Sequence, residues 1–102
     1  YRRAAAEVSV SATIGRTVFE QSDDRGLVSR VESRDFLVRA EDLVLAGSAV
    51  LPKAGDTIRE SHDGRTLVYE VMAPGSEPPF RYSDPYRRTL RIHTKHVGTE
   101  GP

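Results

Sequence analysis

Apolar and polar residues alternate along most of this chain at a period of two, and that period predicts strands. Val8, Val10, Ala12 and Ile14 alternate with Glu7, Ser9, Ser11 and Thr13, which predicts a half-buried strand ended by Gly15. Thr17-Val18-Phe19-Glu20 opens a second extended piece that runs into the polar cluster Gln21–Gly26, suited to a turn or loop. From Leu27 to Ala40 the chain is extended again. Leu27 and Val31 share one parity there, while Phe36, Val38 and Ala40 share the other. One face cannot take both sets without an inserted residue, so the pattern predicts a bulge or corner near Ser33-Arg34-Asp35.

Ala40-Glu41-Asp42-Leu43-Val44-Leu45 reads as one helical turn with acidic residues at its start and Gly47 at its end. Pro52–Ile58 is a turn followed by a strand. Asp63-Gly64, between Thr57–Glu60 and Thr66–Met72, is a hairpin signal, with Leu67, Tyr69 and Val71 on one face. Ala73–Tyr86 holds four of the six prolines and exceeds the usual connection of about 4–6 residues, which marks an ordered excursion or a functional loop. The last strand, Arg87–Val97, points Leu90, Ile92 and Thr94 inward, and Gly98–Pro102 is expected to fray. The expected fold is all-β: a small antiparallel β-barrel or sandwich of about six strands, with one short helical turn and a long Pro-rich loop. One domain, 1–102, with an ordered core over 7–97, accounts for the whole chain.

Composition narrows the function. With 102 residues and 37% apolar content, the chain buries one modest core, and no stretch approaches the roughly 18 apolar residues of a membrane span. Cysteine is absent, so disulfides and thiolate chemistry are excluded. Fifteen basic residues balance fifteen acidic ones, which argues against a dedicated duplex-DNA binder. Thirteen of the fifteen basic residues are Arg, a type suited to planar interface contacts, although a GC-rich genome accounts for the larger share of that bias. The chain begins at Tyr1 rather than Met, which leaves room for a preceding segment, and no signal-peptide pattern is present.

The reactive motifs are missing. No glycine-rich phosphate loop is present. His93 and His96 are three apart in a strand and point to opposite faces, and His62 sits at a hairpin tip. Ser83-Asp84 with His93 can be drawn as a triad fragment, but no strand-turn-helix elbow surrounds the serine, and a turn before Pro85 explains both residues. Asp23-Asp24 and Glu41-Asp42 are adjacent pairs that do not converge on one atom. No catalytic residue, cofactor or metal site is expected, and the chain does not read as an enzyme.

One cluster stands out: Phe80, Arg81, Tyr82, Asp84, Tyr86, Arg87 and Arg88 on a proline-stiffened loop. Aromatic and Arg side chains are enriched in interface cores, and a stiff loop loses less entropy on docking. The same residues also suit a structural role, with Phe80 and Tyr82 folded over one barrel end and the arginines paired to Asp84, Glu77 or Glu70. A third reading is an OB-like module that stacks single-stranded nucleic acid on the three rings.

Three segments resemble the small head–tail joining (head-completion, stopper-like) proteins of tailed bacteriophages and prophages. They are Ser33–Leu43, Pro52–Ile58, and Tyr69–Met72 continuing into Arg81-Tyr82-Ser83-Asp84-Pro85-Tyr86-Arg87-Arg88 and the closing strand. The resemblance implies a β-barrel that assembles as a ring in the virion neck, between portal or adaptor and tail proteins, after its synthesis in the host cytoplasm. Packaged DNA would be a neighbour rather than a ligand. A free monomer before assembly is compatible with it. Ring subunits joined head to tail use two different patches. The loop from Pro74 to Arg88 is expected to be one. Ser22, Asp23, Asp24 and Arg25 are expected to be the other, or to face the channel.

Overall fold

Period-two alternation carries the chain into antiparallel strands throughout the computed structural model, which describes residues 1–75 and 77–101. A ribbon of β1 (Arg2–Arg3) and β2 (Ala6–Glu7) leads into a long hairpin of β3 (Ala12–Ser22) and β4 (Val28–Arg39). A 3-10 turn (Ala40–Asp42) and a small hairpin, β5 (Val44–Leu45) and β6 (Ser48–Ala49), come next. Then follow β7 (Thr57–His62), β8 (Arg65–Val71), β9 (Phe80–Tyr82) and β10 (Thr89–Glu100). The main sheet runs β2-β1-β7-β8-β10-β4-β3, with β9 also paired to β10. It does not close into a barrel, because β3 ends the order and pairs with β4 alone.

β10 organises the core. Its first half lies between β4 and β9, with Ile92 opposite both Phe36 and Phe80, and its second half pairs with β8. Leu90, Ile92 and Thr94 are fully buried, as the alternation predicts, and meet Phe36, Val38, Ile58, Tyr69, Val71 and Leu43. Asp63-Gly64 makes the expected two-residue turn between β7 and β8, both residues with positive φ (49° and 74°).

Four expectations are corrected. Gly15 does not end a strand; β3 runs through it, and Val8 and Val10 pack against the core from outside any strand. A Cβ at Gly15 would lie 3.1 Å from the Arg91 guanidinium and 3.3 Å from Leu37, so glycine is there for close approach. No bulge occurs near Ser33–Asp35: β4 keeps unbroken register with both β3 and β10. Both of its faces are covered instead, Phe36 and Val38 by the core and Ser33 and Asp35 by a polar cluster. The irregularity lies in β10 between His96 and Gly98, midway along its pairing with β8. Helical structure after Ala40 stops at Asp42, because Ala46 and Gly47, with φ of 50° and 82°, turn the chain into the β5–β6 hairpin. Finally, β10 continues to Glu100, which pairs with Thr66 and binds Arg59 at 2.8 Å, so Gly98–Glu100 is held in the sheet.

Asp56, from the Pro52–Ile58 turn, anchors the N-terminal ribbon. Its buried carboxylate accepts from Arg3 Nε (3.0 Å) and Nη2 (2.9 Å), the Lys53 backbone N–H (3.0 Å) and the Tyr1 hydroxyl. Burial pushes its pKa up, but those donors, Arg3 foremost, hold it below the usual carboxylate range.

The radius of gyration is 14.5 Å, above the about 13 Å of a compact 100-residue domain. The excess has a visible source. β4 pairs with β10 only from Arg34 to Arg39, whereas β3 and β4 stay paired out to Ser22 and Val28. The outer half of that hairpin is therefore an arm.

Candidate docking surface

The aromatic-arginine loop divides into an anchor and an outward face. Phe80 and Tyr82 alternate with Arg81 on β9, so both rings turn to the core, meeting edge to face with centroids 5.8 Å apart. A tight turn follows. Asp84 Oδ1 accepts the backbone N–H groups of Arg88 (2.9 Å) and Thr89 (2.8 Å), and the Ser83 N–H donates to the Thr89 carbonyl at 2.8 Å. Those donors, Thr89 first, hold the Asp84 pKa below its ordinary value. Arg87 takes a left-handed φ of 58°, which lets the turn close without glycine. The Arg88 carbonyl accepts the Ala40 N–H at 2.8 Å and ties the loop to the 3-10 turn.

What remains outside is Arg81, Tyr86, Arg87 and Arg88. Tyr86 is 78% exposed. The Arg88 guanidinium lies 5.7 Å from the Tyr86 ring centre, and that of Arg87 lies 5.8 Å from Tyr82. Among the described residues, Arg81, Arg87 and Arg88 have no carboxylate within ion-pair distance, whereas Arg39 beside them pairs with Glu41 at 3.6 Å. The expected pairing of these arginines with Asp84, Glu77 or Glu70 is thus not formed. The nucleic-acid reading gains no support from the same geometry. It needs three exposed rings, and two of the three are packed against the core.

At the arm's tip, Asp23 Oδ1 accepts the N–H groups of Arg25 and Leu27, both at 2.9 Å, and the Asp23 N–H returns to the Leu27 carbonyl at 2.9 Å. Asp23 is thereby used to close the turn. Ser22, Asp24 and Arg25 are exposed, together with Leu27 (66%) and Val28 (61%).

A third cluster escaped the sequence reading. Asp35 is wholly buried and saturated: Ser33 Oγ (2.5 Å) and His93 Nδ1 (2.9 Å) meet one carboxylate oxygen, Arg91 Nη1 (2.8 Å) and the Thr17 hydroxyl the other. Phe19 covers the His93 ring edge to face at 4.9 Å, and the Pro79 carbonyl accepts the His93 backbone N–H at 2.9 Å. Burial pushes the Asp35 pKa up, and the Ser33, Thr17, His93 and Arg91 donors overcome it and hold the group below its usual range. Serine, histidine and aspartate meet here without nucleophilic geometry. Ser33 donates to Asp35, and both address the same histidine nitrogen, which leaves no base for the serine. The His93 ring is engaged with Asp35, while Ser83 and Asp84 serve the turn. His96, on the opposite face, is exposed and 3.2 Å from Thr99. Among the described residues no three His, Asp or Glu side chains converge as metal ligands.

The cluster's signal was present in the parity. Ser33, Asp35, Arg91 and His93 alternate with Phe36, Val38, Leu90 and Ile92, so a polar face runs back to back with the apolar one.

The chain belongs to the phage head-tail joining protein family, whose model matches residues 1–101. That family is structural and non-enzymatic. No curated protein and no solved structure matches the chain.

Proposed function

We propose that this chain, acting as one domain, sits in the phage neck as a subunit of a ring and docks portal-side or adaptor proteins to tail proteins. The observation that carries this reading is the division of the loop. Phe80 and Tyr82 are committed to the core, while Tyr86, Arg81, Arg87 and Arg88 face outward on a turn fixed by Asp84. Arg and aromatic groups already held in place lose little entropy on docking. A head-to-tail ring needs a second region on each subunit, and the arm supplies one. Its Ser22, Asp23, Asp24, Arg25 tip faces the channel, where carboxylates beside DNA phosphates resist gripping the genome. The protein is made in the host cytoplasm and finishes in the virion neck.

Replacing both Arg87 and Arg88 with glutamine tests the loop without touching the core. Both side chains are exposed, so stability should change by no more than about 0.5 kcal/mol. In electron micrographs, phage supplied only with this variant should show DNA-filled heads separate from tails. Normal numbers of joined particles would refute the assignment. Tyr82→Ala is a poorer probe, because Tyr82 also packs against the core.

A further inference from the structure

β3 leaves the sheet with a free edge, and its sequence is complementary to itself. Among the described residues only β4 pairs with β3, so the outer edge of Ala12–Ser22 has no strand partner. Natural sheets guard such edges with proline, charged side chains, bulges or short length. Of these β3 has only two charges, Arg16 and Glu20, and they are of opposite sign. It is 11 residues long, contains no Pro or Lys, keeps unbroken register, and carries Ile14 (45% exposed) and Val18 (49% exposed) on one face. An edge whose charges are complementary to a second copy of itself is open to strand addition.

We propose that a second copy of this chain covers it, forming a two-fold antiparallel dimer centred on Val18. With Val18 set opposite Val18 of the second copy, Arg16 falls opposite Glu20 and Glu20 opposite Arg16. Thr17 then faces Phe19, and Ile14 faces Ser22. Opposite charges directly across a ladder, and β-branched residues against aromatic ones, are the pairs that stabilise neighbouring strands. Other registers lose this. Centring on Arg16 sets two arginines face to face, and centring on Glu20 does the same with two glutamates, both destabilising. Centring on Thr17 sets Arg16 against Val18 and Glu20 against Ile14, leaving both charges without partners.

Arg16 and Glu20 are available for this role. Their side chains are 76% and 62% exposed, and their contacts within the chain are loose ones, to Glu32 at 3.6 Å and Arg30 at 3.4 Å. The two-fold axis keeps each residue on its own face, so the two sheets join into one continuous sheet and both free β3 edges disappear. The free protein is then a dimer in place of a monomer. The inference is independent of the neck reading, since it requires neither a ring nor a phage partner.

The test uses the whole chain, sedimentation velocity and two charge reversals. The native protein should sediment as a dimer. Arg16→Glu and Glu20→Arg each place like charges at both symmetry-related positions and should weaken self-association by about tenfold or more. Mixed in equal amounts, the two variants should form a heterodimer, because the glutamate introduced in one chain then faces the arginine introduced in the other. Circular dichroism checks that both remain folded. Val18→Cys supplies a second measurement: mild oxidation should link two chains through the residues on the axis. A native chain that sediments as a monomer or as a ring overturns the proposal. So do single reversals that remain dimeric, a mixture that stays monomeric, or a Val18→Cys protein that does not cross-link.

Discussion

Ile92→Asp is expected to leave the chain unfolded, with no cooperative melting transition by circular dichroism. Ile92 is fully buried on β10, between Phe36 of β4 and Phe80 of β9. A carboxylate placed there loses its water and meets an apolar cluster that includes Leu90, Val38 and Val71, with no cation in it to pair the charge. An unpaired buried charge costs several kcal/mol, and effects above about 4–5 kcal/mol arise from this kind of defect. A small domain holds only about 5–15 kcal/mol in total. Ile92→Val is the control, with an expected cost of about 0.5–1.5 kcal/mol for one lost methyl group. An aspartate variant that melts like the native protein would mean that the inward face of β10 has been misassigned.

Asp35→Ala should be nearly as damaging, for the opposite reason. Here the charge is already buried, and four donors depend on it. Removing it strands Ser33 and His93 inside the protein and leaves Arg91, 22% exposed, without its carboxylate. Breaking a buried pair in this way costs about 3–5 kcal/mol, with the lower end apt here because Arg91 reaches solvent. The acid side of the stability curve carries a signature of the same group. Asp35 is held below its unfolded value of about 3.9, so its contribution is complete above that pH and is lost as the pH falls through the folded value. Asp56 acts in the same direction. Native protein should therefore lose stability steeply below pH of about 4, and the Asp35→Ala variant less steeply, in urea titrations at stepped pH. Equal slopes would show that Asp35 is no better stabilised folded than unfolded.

The contrast between these two residues shows what was legible in the sequence. Ile92 belongs to a clean alternation with Leu90 and Thr94, and its burial follows from period two alone. Asp63-Gly64 carries its turn in its own residue types. Asp35 is different, because the residues that make it tolerable lie far away: His93 is 58 positions downstream and Arg91 is 56. Taken locally, the opposite parities of Leu27 and Val31 and of Phe36 and Val38 suggest an inserted residue beside it. In the fold, a strand covered on both faces accommodates both sets without one. The aromatic-arginine loop was found by composition, but which rings turn inward depends on β9 pairing with β10, a three-residue match that no local pattern announces. Ala46 in left-handed conformation likewise breaks the short helical reading only because β5 and β6 pair.

At the centre stands the claim that this protein works by presenting a pre-formed surface to other proteins of the phage neck. Image reconstruction of the neck in particles of the phage that encodes it tests this most directly. The expected result is that the chain is present there, with Tyr86, Arg87 and Arg88 buried against an adjoining protein. A neck without the chain, or one in which that loop faces open solvent, would contradict it.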